Sequence, residues 1–77
     1  RITVDLQLPA AARLAIGVYN VAGQRVQTLA NGLLTAGPHR IIWDGRTQNG
    51  MKAANGVYLI RLQGAGFGAV RKAVVVR

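Results

Sequence analysis

The sequence predicts an all-β fold, a small antiparallel β-sandwich, on three observations. Apolar residues recur with period two along most of the chain, Gly, Asn, Asp and Pro break these runs at short intervals, and no stretch has convincing helical spacing. The chain has 77 residues of which 51% are hydrophobic, so it is a folding chain and not a disordered basic tail. One domain, residues 1–77, is expected, because neither half could bury a core by itself.

The elements follow in order. Ile2, Val4, Leu6 and Leu8 alternate with Thr3, Asp5 and Gln7, a strand with one wet face that Pro9 ends. Leu14, Ile16 and Val18 repeat the pattern; helix competes over residues 10–16, which are rich in Ala, Leu and Arg, but the alternation and Gly17-Val18-Tyr19 favour strand. Asn20-Val21-Ala22-Gly23 turns the chain into a strand over residues 25–29. Asn31-Gly32 and Gly37-Pro38 bracket a loop, and residues 40–43 form a strand that stops at the turn Asp44-Gly45. A polar, glycine-bearing stretch runs from 46 to 56, the most continuous strand covers 57–62, and a turn at 64–68 returns the chain into 70–76.

Alternation also assigns faces. Ile41 and Trp43 point inward with Arg40 and Ile42 outward; Tyr58, Ile60 and Leu62 point inward with Val57, Leu59 and Arg61 outward. Trp43 and Tyr58 are then the largest core fillers, each with a polar edge that needs a partner. Residues 67–77 lack clean alternation, which a β-bulge would explain.

Reactive groups are scarce. The chain has no Ser and no Cys, one histidine (His39), and two carboxylates, Asp5 and Asp44, far apart in sequence. A nucleophile with its base, a carboxylate pair or a zinc cluster each needs residues that are missing, so no catalytic residue, no metal site and no cofactor is expected, and the chain does not read as an enzyme. His39 reads as a residue leading into a strand. Gly64-Ala65-Gly66-Phe67-Gly68-Ala69 fits the dinucleotide pattern G-x-G-x-x-A, but only eight residues follow it where a helix should open, so it reads as a hairpin turn. Residues 44–50 faintly resemble a calcium loop, yet they offer a single carboxylate beside Arg46; a tight turn, with Asp44 bonding the backbone just ahead of it, is the better reading.

The absence of cysteine fits a reducing compartment and an exported domain without disulfides equally well. No stretch approaches the roughly 18–20 apolar residues of a membrane-spanning helix. Arg1-Ile2-Thr3-Val4-Asp5 is neither a signal peptide nor a natural translation start, so the chain is expected to be a piece, the C-terminal piece, of a longer protein.

The order of motifs carries a resemblance. Ile2-Thr3-Val4-Asp5-Leu6-Gln7-Leu8-Pro9 is followed by Val18-Tyr19-Asn20-Val21-Ala22-Gly23-Gln24-Arg25-Val26. Then come Ala36-Gly37-Pro38-His39, Trp43-Asp44-Gly45, Asn49-Gly50, Asn55-Gly56-Val57-Tyr58, Arg61-Leu62 and Arg71-Lys72. This series resembles the C-terminal sorting domain of proteins exported by type IX secretion, a family related in pattern to the Ig-like domain of the flagellar hook-capping protein FlgD. The resemblance implies an Ig-like antiparallel β-sandwich of about seven strands that works by being recognised. Its sorting branch implies a domain read by the outer-membrane secretion translocon as its cargo reaches the cell surface or extracellular space of a Gram-negative bacterium; its FlgD branch implies a part in scaffold or filament assembly. The stretch from Gly56 to Leu62 looks closer to the sorting version, so the sorting branch is the one expected. On it, Arg71, Lys72, Val74, Val75, Val76 and Arg77 are the expected recognition residues, while Trp43, Asp44, Gly45, Gly50, Gly56 and Tyr58 hold the frame.

Ten Lys and Arg against two Asp give a net charge of +8, a field that draws anions without naming one. An Ig-like sandwich is expected to place Arg40 and Arg61 in one sheet as a basic stripe that Arg71 or Lys72 extends. Arginine suits phosphate and carboxylate, so anionic lipopolysaccharide, an acidic translocon surface or nucleic acid would satisfy it, and a basic module binding an anionic polymer, nucleic acid or polysaccharide, is a second alternative. Four aromatic residues, at least two of them read as buried, argue against nucleic acid as the partner. Self-assembly through an edge strand is a further expectation, suggested by Val74-Val75-Val76.

Overall fold

The computed structural model describes residues 1–64 and 66–76. They form six strands: β1 (Ile2–Leu8), β2 (Ala12–Asn20), β3 (Arg25–Leu34), β4 (Gly37–Trp43), β5 (Gly56–Gly64) and β6 (Phe67–Val75). β1 and β4 make a two-stranded sheet, and β3-β2-β5-β6 a four-stranded one, all neighbours antiparallel. The two sheets pack as a sandwich around one core. Six strands stand where the resemblance implies about seven. The stretch between β4 and β5 is polar and turn-rich, has no alternating apolar set to bury, and contributes only the isolated bridge Arg46↔Lys52.

Period two does what it should in the inner strands. Leu14, Ile16 and Val18 of β2 and Tyr58, Ile60 and Leu62 of β5 are buried side by side, joined by Ala73 and Val75 of β6. Leu8 and Trp43 close the core from the other sheet and Ala53 from the loop before β5. Each large side chain of this set contributes roughly 1.5–3 kcal/mol by leaving water. Arg40 and Ile42 are exposed, as are Val57 and Arg61, so the faces are those the alternation predicts.

Three expectations change. The loop expected between residues 31 and 38 is mostly strand: β3 runs on to Leu34 because its pairing with β2 continues through Leu14↔Gly32 to Ala12↔Leu34. β4 starts at Gly37 and includes Pro38, which is tolerated because β4 has a sheet neighbour on one side only. No bulge interrupts β6, whose register with β5 is unbroken from Gly56↔Val75 to Gly64↔Phe67; the irregular positions lie instead in the β2–β3 pair, at Ile16/Gly17 and Val18/Tyr19. Alternation in β6 is blurred because Arg71, opposite buried Ile60, takes an inward-side position that remains exposed at the edge of the sheet.

Turns are set by side chains. Asn20 Oδ1 accepts hydrogen bonds from Ala22 N and Gln24 N, both 3.0 Å, and Gly23 supplies the left-handed residue (φ 85°) that lets β2 reverse into β3.

Candidate interaction surface

The expected basic stripe divides. Arg40 is on β4 and Arg61 on β5, so they belong to different sheets, because β4 pairs with β1 and not with β5. Arg40 is also engaged: its Nε donates to Asp5 Oδ1 at 2.9 Å across the Asp5↔Arg40 pair, and that bond, with the carboxylate charge, raises the guanidinium above its ordinary pKa. Arg61 turns to the outer face of the four-stranded sheet, where its guanidinium carbon lies 5.3 Å from the centre of the Tyr19 ring. Lys72, opposite Leu59, shares that face, and both Arg71 and Lys72 border a cleft between β1 and β6.

Asp44 Oδ1 accepts from Arg46 N at 3.0 Å in an Asx turn, and Arg46 Nη1 donates to Gly50 O at 2.9 Å. Gly45 and Gly50 take positive φ (79° and 83°) in this loop, and Gly56 does so where β5 begins. Trp43 Nε1 donates to Arg46 O at 2.9 Å, so the loop is tied to the core through the indole. His39 sits within β4 and its Nε2 donates to Thr35 O at 2.7 Å. Gly64↔Phe67 closes the β5–β6 hairpin at the G-x-G-x-x-A segment; Ala65 lies outside the described residues.

Edges distinguish the surfaces. Pro38 breaks the row of backbone donors on β4. β3 is covered by the loop after β4: Gln48 N donates to Val26 O (2.8 Å), Gln48 Oε1 accepts from Thr28 N (3.1 Å), and Gln27 Nε2 donates to Thr47 O (3.1 Å). β6 ends the order of the larger sheet, with Val70, Val74 and Val76 exposed at 55%, 52% and 79%. Its inner neighbour Val75 is 8% exposed and belongs to the core, so among the described residues expected to serve recognition it is the one closed to a partner. Arg77 lies outside the described residues. The Gln27 and Gln48 contacts gave no sequence signal, since they join positions about 20 residues apart.

The family model of the FlgD Ig-like domain matches residues 1–66, from the start of the chain to the residue before β6. No curated protein and no solved structure matches the chain.

Proposed function

The chain belongs to the FlgD Ig-like domain family, and on that premise we propose that it is a non-catalytic Ig-like module that joins a scaffold or filament assembly by accepting a strand at β6. The observation that carries this reading is the β6 edge, with the outward valines Val70 and Val74, exposed Val76 just past it, and neither the proline of β4 nor the loop cover of β3. Strand addition satisfies backbone groups along such an edge and takes specificity from alternate side chains. Arg71 and Lys72 sit mid-strand, so a second β6 laid antiparallel would bring like charges together, and a strand of another chain is the better occupant.

The test replaces Val70 and Val74 together by lysine in the protein as its host makes it. Exposed positions leave the fold intact, and the expected result is an unchanged melting temperature with loss of incorporation into the assembly. Normal incorporation of the double variant would refute the edge as the contact.

The narrower reading, a C-terminal sorting module read by the type IX translocon on its way to the cell surface, draws on the same strand, where Arg71, Lys72, Val74 and Val76 are exposed together. Residues 1–77 fused to a reporter should then be exported by a competent host, and a reporter retained in the periplasm would count against sorting.

A further inference from the structure

Charge is not spread evenly over the sandwich. The strands of the four-stranded sheet carry Arg13, Arg25, Arg61, Arg71 and Lys72 and no acidic residue; Asp5 and Asp44 lie on β1 and in the loop after β4. Register puts Arg25 opposite Tyr19, Arg61 opposite Gly17 and Lys72 opposite Leu59, so these three cations share the outer face with Arg13, whose neighbour Leu14 points into the core. Among the described residues the ion pair formed is Arg40–Asp5, on the other sheet.

In the middle of this face is a hollow of about 40 Å³ bordered by Gly17, Arg25, Thr28, Asn31, Arg61 and Gln63. The Tyr19 ring forms one wall and lies over Gly17, whose missing side chain makes room for it; a Cβ there would meet Tyr19 Cε1 at 3.2 Å. Such a space holds about three waters, the size of a carboxylate and far less than a base or a sugar ring. Two guanidinium groups, a hydroxyl and two amides border it, a donor-rich set suited to one small anion. Tyr19 already has Arg61 over its ring, which fixes the guanidinium and covers the aromatic face that a stacked nucleobase would need.

We propose that this outer face docks an acidic polypeptide segment of a partner protein, with one carboxylate seated in the hollow beside the Tyr19 ring, between Arg25 and Arg61. Arg25 and Lys72 stand at the two ends of one cross-strand row, three strand spacings or about 14 Å apart, with Arg61 in the adjoining row. An extended peptide repeats its same-side residues every ~6.7 Å, so carboxylates at three alternate positions span that distance. The fit is to a strand-like segment with an acidic residue at every second position, lying across the sheet. Lys72 and the outward valines of β6 border this surface, and the Arg25 and Arg61 substitutions, which leave β6 unchanged, separate it from strand addition at the β6 edge.

The experiment titrates the 77-residue chain with a synthetic decapeptide bearing Glu at alternate positions, followed by amide chemical shifts and calorimetry. Shifts are expected at Gly17, Arg25, Arg61 and Lys72 and not along β1 and β4. Arg25→Gln with Arg61→Gln should weaken binding at least tenfold with the melting temperature unchanged, while Arg40→Gln should stay within twofold. Equal losses from Arg40→Gln and from the outer-face pair would mean attraction by net charge alone and overturn the proposal. So would absence of binding at low salt, or tighter binding of an oligothymidylate of equal charge, which would reassign the face to nucleic acid.

Discussion

The rings of Trp43 and Tyr58 meet edge to face, with centroids 5.1 Å apart and planes inclined at 66°, one ring from each sheet of the sandwich. Both polar ends are satisfied by loop carbonyls: the indole N–H by Arg46 O and the phenol by Ala54 O at 2.6 Å. Two aromatic groups therefore fill the gap between the sheets and anchor both ends of the irregular segment between β4 and β5. Trp43→Ala should cost about 3–5 kcal/mol, a large part of the ~5–15 kcal/mol total that domains possess, and urea unfolding should show little folded protein. Tyr58→Phe keeps the ring and loses a single hydrogen bond, so a cost near 1 kcal/mol is expected. Equal costs for the two variants would show that the phenol bond to the loop contributes as much as the ring packing between the sheets.

Particular residues show why the core was readable from sequence and the surfaces less so. Leu14-Ile16-Val18 and Tyr58-Ile60-Leu62 bury one side along inner strands, and period two reports that directly. Periodicity gives a face and not a sheet, which is why Arg40 and Arg61 could be assigned outward correctly and still be joined into a stripe that does not form. Asn31-Gly32 and Pro38 carry local turn chemistry that pairing with β2 and β1 overrides. The hollow beside Tyr19 depends on residues from β2, β3 and β5 meeting across the sheet, a relationship invisible until register is known.

The cover on β3 gives a local prediction. Thr28 N donates both to Gln48 Oε1 and to its neighbour Gln27 Oε1, each at 3.1 Å. Removing one acceptor leaves the other, so Gln48→Ala alone should change exchange of the Thr28 amide by less than about threefold. Gln27→Ala combined with Gln48→Ala should accelerate it roughly tenfold, the equivalent of about 1.4 kcal/mol of local opening. The Ile16 amide, in the central strand β2, is the internal control. A single variant as fast as the double would show that the two acceptors are not shared.

Arg40 and Asp5 are two-thirds exposed, at 68% and 66% of their side chains, so solvent screens the pair and its contribution to stability is small. The sign of its pH dependence is fixed. A guanidinium raised above its ordinary value stabilises the fold at every pH below arginine's ordinary range, and that stabilisation fades only as pH climbs through the raised value. Arg40 thus adds no slope to stability between pH 6 and 9. Melting curves of the parent and Arg40→Gln should differ by a small constant offset across that window, and an offset that varied with pH would contradict the assignment of the shift to Asp5.

Val74 and Val75 test the register of β6, the strand beyond the family match. Val74 faces Val57 on the outer side and is 52% exposed, whereas Val75 is 8% exposed and packs in the core. Side chains alternate strictly along a strand, so a slip of one residue would exchange these environments and expose Ala73 with Val75. Val74→Lys should change unfolding free energy by no more than about 0.5 kcal/mol, because its ammonium enters water with little apolar surface uncovered. Val75→Lys must bring its stem or its charge into the core, and a loss of roughly 2–4 kcal/mol is expected. Equal tolerance of both substitutions in urea titrations would mean that the last strand is not held in this register. A cost falling on Val74 instead would mean the one-residue slip, and would move Arg71 to the outer face and Lys72 off it.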